Sequence, residues 1–275
     1  MFLESRPDDG RPADVLIHGV PYDGSVSYRS GAAAGPIEVR HASDSIESYS
    51  PRTGRDLGDI DFADAGDLDV TGLEGARLMD RIAQTTEALT RRGRLVVTFG
   101  GDHSVSIGTA RGLRAAHADL VHVVYDAHMD MRASYDGTEF SHACTTRHLS
   151  LTGSTWLLGV RSGTREEYAD ADGMLTGWSD RVDLPPGARE SISGRPVFVS
   201  VDLDVLDPSI LPGTGTPEPA GASYRDLRES LLGLAGLRVV GIDFLELAPA
   251  LDPSGLSAVV AAELARESIL GLLTP

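Results

Sequence analysis

Short apolar runs at residues 14–20, 95–99, 120–125, 155–160, 196–201 and 239–244 read as strands, and stretches of helical period separate them. A strand that is apolar without alternation must be covered on both faces, which a parallel sheet with crossover helices provides. The helices are expected at 37–46, 72–92, 104–118, 142–149, 165–171, 223–234 and 255–272, with Pro36 suited to a first turn and Gly93 to a stop. Residues 51–70 are poorly periodic, with room for a short strand near 59–63, and 173–196 read as irregular around a Pro185-Pro186-Gly187 break. The absence of tandem repeats and of composition breaks predicts a single domain over residues 1–275. An open doubly wound sheet and a closed barrel both satisfy the alternation. Uneven strand spacing favours the open form, an α/β fold built as a three-layer α/β/α sandwich with a mostly parallel sheet. Such sheets take their ligands beyond the carboxyl ends of the strands.

Nearly all the chemistry falls at those ends. The run VVYDAHMD carries Asp126, His128 and Asp130 two residues apart, and extended backbone projects such positions to one side. The same spacing recurs at Asp202 and Asp204 in SVDLDVLDP, and GGDHS places His103 just after another strand. Four converging carboxylates would repel by several kcal/mol at separations of about 4 Å in a low-dielectric pocket, and divalent cations remove that cost. Six ligands, two of them shared, suit two adjacent ions able to activate a common water near neutral pH. Oxygen and imidazole donors without thiolate favour Mn²⁺ over Zn²⁺, Fe²⁺ or Co²⁺. Asp102, Asp207 and Asp243 read as helix-start, turn or sheet-supporting residues.

Composition narrows the partners. All 24 basic residues are Arg, so a Schiff-base or phosphate-binding lysine is excluded. A formal charge of −17 opposes binding to nucleic acid or to an anionic membrane, and favours cationic small molecules. The one cysteine, Cys144, can form neither an internal disulfide nor a multi-cysteine zinc site, and reads as a buried packing residue. The opening MFLESRPDDG lacks the apolar core of a signal peptide, and no apolar run reaches the roughly 18 residues that span a bilayer. The expectation is a soluble, cytoplasmic protein.

GGDHS, DAHMD and SVDLDVLDP together resemble the three metal-binding signatures of the ureohydrolase family of arginases and agmatinases. GVPYDGSVSYRSGAAAGP, SHACTTRH, LGVRSG, PGTGTPEPAG and GIDFLELAP extend the similarity over most of the chain, and look more like agmatinases than arginases. The resemblance implies two Mn²⁺ per subunit, with Asp126 and Asp202 bridging, His103 and Asp130 completing one site, and His128 and Asp204 the other. It implies that Glu246 holds the substrate guanidinium, a pairing suited to a carboxylate, and that His142 passes a proton to the leaving amine. It also implies a trimer or hexamer. Gly108 departs from the pattern, standing where many relatives carry Pro. Arg132 is open between a substrate carboxylate and a structural ion pair, and Arg161 between orienting the pocket and bracing the sheet.

The function these features imply is hydrolysis of a guanidino compound to urea and a primary amine, with agmatine to putrescine first and guanidinobutyrate or another ω-guanidino compound next. From another class, the chain would be a metal-stabilised paralogue that binds polyamines without turnover. A hydrolase of phosphate or amide bonds is the third reading, favoured if only one metal binds.

Overall fold

Val dominates runs such as VHVVY and PVFVSVD, and its side chains help fill both faces of a sheet. The computed structural model describes residues 1–273. Its first half contains β1 (Arg6–Pro7), β2 (Ala13–Val20), α1 (Gly35–Ser43), β3 (Tyr49–Ser50), β4 (Arg55–Asp56), β5 (Phe62–Asp67), α2 (Gly75–Thr90), β6 (Gly93–Gly100), α3 (Val105–Ala116) and β7 (Val121–Tyr125). The second half adds α4 (Thr145–Ser150), β8 (Thr155–Leu158), α5 (Arg165–Met174), β9 (Gly177–Ser179), α6 (Ala188–Ile192), β10 (Pro196–Asp202), α7 (Tyr224–Leu232), β11 (Arg238–Leu245) and α8 (Leu256–Leu272).

Among the described residues, nine strands form one open sheet in the order β1-β5-β2-β6-β11-β10-β7-β8-β9, with every neighbouring pair parallel. Side-chain alternation sorts the two faces. Leu95, Val97, Phe99, Val121, Val123, Val197 and Val199 face a core shared with α1, α6, α7 and α8. Leu16, Val96, Val124, Leu157 and Phe198 face the other core, with Leu89 of α2, Leu113 of α3, Leu149 of α4 and Ala171 of α5. This is the expected three-layer sandwich, and the two free edges rule out the closed barrel.

Strand order is what builds the site. The chain lays down β6 and β7 with a gap between them, and the last two strands, β10 and β11, fill it. Asp202, Asp204 and Glu246 thereby arrive between His103 and the segment Asp126–Asp130.

The short strand expected near 59–63 lies at Phe62–Asp67, and β1, the antiparallel β3–β4 pair, β9 and α6 were not anticipated. β5 hides in an acidic stretch because its buried Asp64 is neutralised by Arg40 of α1, at 2.7 Å and 8% side-chain exposure. A remote partner of this kind leaves no local signature.

Gly108 and Gly112 let α3 lie directly on α2. A β-carbon at Gly112 would sit 2.5 Å from the Ala83 carbonyl oxygen and 2.7 Å from Thr86 Cβ, and one at Gly108 would sit 2.6 Å from Ile82 Cβ. Helix propensity alone would favour Ala over Gly by about 1 kcal/mol, but overpacking against backbone that cannot yield costs about 1–3 kcal/mol. Packing should win: Gly112→Ala is expected to lower the denaturant midpoint, at unchanged slope, by the equivalent of about 2 kcal/mol. A midpoint equal to or above that of the parent would contradict the close approach.

Candidate metal centre

The ends of β6, β11, β10 and β7 are neighbours, and each leads into a turn that carries polar side chains to one place. His103, Asp126 and Asp202 have ligand atoms within 4.8 Å of one another, and so do Asp126, His128 and Asp204. Asp126 belongs to both groups. His103 Nδ1 lies 3.0 Å from Asp126 Oδ2, 3.1 Å from Asp130 Oδ2 and 3.3 Å from Asp202 Oδ2. His128 Nδ1 lies 3.0 Å from Asp204 Oδ2 and 3.6 Å from Asp126 Oδ1. All these side chains are buried apart from that of His128, which is 23% exposed.

The backbone is shaped for this convergence. Asp126 Oδ1 accepts from His128 N at 2.6 Å, and Asp202 Oδ1 from Asp204 N at 2.9 Å, so in each two-spaced pair the first carboxylate holds the turn that presents the second residue. Asp130 (φ 50°) and Glu246 (φ 62°) lie in the left-handed region, which is uncommon for a residue with a long side chain such as Glu. Strained backbone of this kind concentrates where surrounding structure enforces it, as at binding sites.

Behind His103, its Nε2 stands 3.1 Å from Ser200 Oγ, which is 2.9 Å from Ser106 Oγ, and Ser106 Oγ donates to Asp243 Oδ2 at 2.8 Å. Such partners fix the ring of a metal-binding histidine and aim its other nitrogen. The sequence reading did not single out Ser106 or Ser200. Ser200 continues the two-residue spacing of Asp202 and Asp204 backwards along β10, and Ser106 lies one helical turn beyond His103, so both signals were present. Asp243 has the supporting role expected of it. Asp207 holds a turn, accepting from Ser209 N at 3.0 Å and Gly221 N at 3.1 Å, and Asp102 accepts from Ser104 N at 3.1 Å at the start of α3.

Glu246 is buried beside the cluster, and its Oε1 accepts from His103 N at 2.8 Å. A cavity of about 330 Å³ opens over the site, lined by His128, Asp130, Arg132, Tyr135, His142 and Glu167 among others. The structure thus brings His142 to the cavity that touches Asp130 and His128. Glu218 Oε1 is 3.7 Å from His128 Nε2, and Thr216 Oγ1 donates to Asp204 Oδ2 at 3.3 Å; both come from the PGTGTPEPAG loop.

The unassigned residues also find places. Arg161 donates to the carbonyls of Gly159, Asp204, Val205, Leu206, Glu218 and Pro219, so it braces the Asp204 turn and that loop. Arg132 pairs loosely with Glu167 at 3.9 Å and packs over the Tyr135 ring. Cys144 is a fully buried free thiol, pushed up to about 11 by burial.

As protein groups alone, the cluster neutralises itself with protons. Burial opposes the charge on Asp126, yet hydrogen bonds from His103 and His128 hold it below the usual carboxylate range. Burial also opposes charge on His128, but Asp204 and Asp126 outweigh it and push the imidazole up to about 12; Asp126 and Asp130 raise His103 in the same way. Burial, then the charge of Asp126, moves Asp130 up to about 6. Burial also lifts Asp202 and Glu246 well above the ordinary range, reinforced by neighbouring carboxylates. Asp126 Oδ2 is buried without a well-aligned hydrogen bond among the described residues, although His103 Nδ1 is near. An unsatisfied carboxylate oxygen amid oxygen and imidazole donors fits a divalent cation.

Residues 13–271 match the profile of the arginase family. The chain is 35% identical to the agmatinase of Bacillus subtilis over 280 residues, covering 99% of this chain and 96% of that one. It is 34% identical to the N(1)-aminopropylagmatine ureohydrolase of Thermococcus kodakarensis, over 90% of this chain and 87% of that one. Among solved structures, the proclavaminate amidino hydrolase of Streptomyces clavuligerus superposes with a TM-score of 0.87 at 30% identity, covering 98% of this chain and 96% of that chain.

Proposed function

Given that the chain belongs to the arginase family and is a metal-dependent ureohydrolase acting on C–N bonds, we propose that it holds two Mn²⁺ ions and hydrolyses agmatine to urea and putrescine. The observation that carries this reading is the pair of ligand groups overlapping at Asp126, at the ends of adjacent strands. His103, Asp126, Asp130 and Asp202 would hold one ion. His128, Asp204 and the shared Asp126 would hold the other, with Asp202 shared as well by resemblance.

When bound, a pair of divalent ions supplies the Lewis acidity that makes water nucleophilic near neutral pH. The chain's own groups do the rest. Glu246 would accept N–H donors of the planar guanidinium and set its carbon at the cluster. Asp130 would accept a hydrogen bond from the attacking water. As the bond from the guanidinium carbon to the substituted nitrogen breaks, His142 would deliver a proton to that nitrogen, and urea and a primary amine would leave.

Similar identities to relatives with different printed substrates give sequence distance little power to choose the substrate. One observation favours a second reading, an ω-guanidino acid such as guanidinobutyrate. The Arg132 guanidinium lines the cavity, and among the described residues its side chain makes no hydrogen bond, being held by the 3.9 Å pair with Glu167 and its packing over the Tyr135 ring. The test is urea release by manganese-loaded protein from agmatine, aminopropylagmatine, guanidinobutyrate and arginine. Agmatine is expected to have the highest kcat/KM. Preference for guanidinobutyrate would select the second reading, and no urea from any compound, with two metals bound, would defeat both.

Metal loading should depend on pH with a definite sign. A cation must displace the protons that burial keeps on Asp130 and Asp202, and must find the two imidazoles neutral. Because these values are raised in the fold, the stability they contribute is complete at low pH and is lost as pH rises, through about 6 for Asp130. The cation supplies stability where the protons cease to. The melting-temperature gain from saturating Mn²⁺ should therefore widen between about pH 5 and pH 8. Differential scanning fluorimetry checks it, and a gain that shrinks with pH would contradict it.

A further inference from the structure

We propose that Ser25, anchored by Asp102, is a positioning residue that fixes the imidazole of His142; the inference rests on the reading of His142 as the group that protonates the leaving amine. Ser25 lies in the loop between β2 and α1, and His142 lies 117 residues further along the chain. Both Ser25 N and Ser25 Oγ donate to Asp102 Oδ2, each at 2.9 Å. A hydroxyl has one hydrogen, and here it is committed to the carboxylate. The Ser25 oxygen can therefore only accept elsewhere, and two donors of His142 face it: the backbone N–H at 2.9 Å and the ring Nδ1 at 3.4 Å. This polarity places the ring hydrogen on Nδ1 and leaves Nε2 as the nitrogen that takes up and releases the working proton.

The anchor is rigid. Asp102 is fully buried, its Oδ1 accepts from Ser104 N and Oγ at 3.1 and 2.5 Å, and its N donates to the Tyr22 carbonyl at 2.7 Å. Asp102 precedes His103 directly, so the chain Asp102–Ser25–His142 ties the proposed proton donor to the turn that carries one end of the metal cluster. Tyr135 meets the His142 ring edge-on, with centroids 5.8 Å apart, and limits its swing on another side. The rival partner is Ser141, whose Oγ also stands 3.4 Å from Nδ1 but among the described residues has no comparable bond to a buried carboxylate.

The test compares Ser25→Ala, Ser25→Thr and Ser141→Ala in the manganese-loaded protein. Loss of an orienting partner typically costs about 10–100-fold, and that loss is expected in kcat for Ser25→Ala. KM should stay within about two-fold, as for a step made only in the transition state, with metal content at the parent value. Ser25→Thr keeps the hydroxyl and should recover most of the activity, and Ser141→Ala should stay near the parent. A second readout needs no turnover. The ¹⁵N spectrum of the imidazoles, with His142 assigned by its absence in His142→Asn, should show the Nδ1–H tautomer in the parent and in Ser25→Thr, and a tautomer mixture in Ser25→Ala. Unchanged kcat and tautomer in Ser25→Ala would overturn the inference. So would a larger effect from Ser141→Ala, or a kcat loss accompanied by lost metal. If the parent releases no urea at all, the functional reading fails, while the tautomer comparison still decides the role of Ser25.

Discussion

Asp126→Asn is expected to lower kcat for urea release by at least about 10³-fold at saturating Mn²⁺, beyond the 10–100-fold typical of a partner outside the ligand shell. Asp126 is the residue that the two ligand groups have in common: Oδ2 is 3.0 Å from His103 Nδ1, Oδ1 is 3.6 Å from His128 Nδ1, and the side chain is fully buried. Asn has the same shape, and its amide oxygen can still accept from His128 N, so packing is preserved and the change is one of charge and ligand strength. The variant should fold and bind less metal. Metal analysis beside kcat checks this, and a variant with full metal content and activity within about ten-fold of the parent would show that Asp126 does not bridge.

Glu246→Gln is expected to cost about 3 kcal/mol of transition-state stabilisation, or roughly 10²-fold in kcat/KM, with metal content unchanged. His103 N donates to Glu246 Oε1, so the Gln oxygen would be drawn to that donor and its NH₂ group would take the place of Oε2, the oxygen left for the substrate. Guanidinium N–H groups would then meet another donor in place of an anion, and a buried donor left unpaired is costly. The substrate panel should lose activity across all members, because every one presents the same guanidinium. A loss confined to one substrate would move Glu246 from the reacting end to the far end of the pocket.

The strand and helix alternation and all the ligand candidates were legible in the sequence because the information is local. Runs such as VHVVY announce buried strands and put the ligand candidates at their ends. The two-residue spacing, however, is presented by turns that Asp126 and Asp202 hold, with Asp204 in a one-turn 3₁₀ helix and Asp130 left-handed, and not by extended backbone. What was not legible depends on distant pairs. Nothing near Asp202 or Glu246 says that β10 and β11 enter the gap between β6 and β7, and this placement makes the site compact. Asp64 on β5 reads as a solvated acid until Arg40 of α1 is found against it. β1 and β9 are two and three residues long, too short to carry a periodic pattern. Ser25 sits in a Gly-rich and Ser-rich loop where any serine looks alike, and only the fold brings it to Asp102 and His142. Arg161, open between two roles from sequence, proves to brace the Asp204 turn through backbone carbonyls, which carry no residue identity to read.

The proposed chemistry requires the carboxylates and imidazoles at these strand ends to take up cations in place of protons. Titration of the metal-stripped protein with Mn²⁺ in a calorimeter at neutral pH tests it most directly. Two ions per chain are expected, with protons released on binding as buffer-dependent heats. Binding of no ion, or of one ion without proton release, would contradict it.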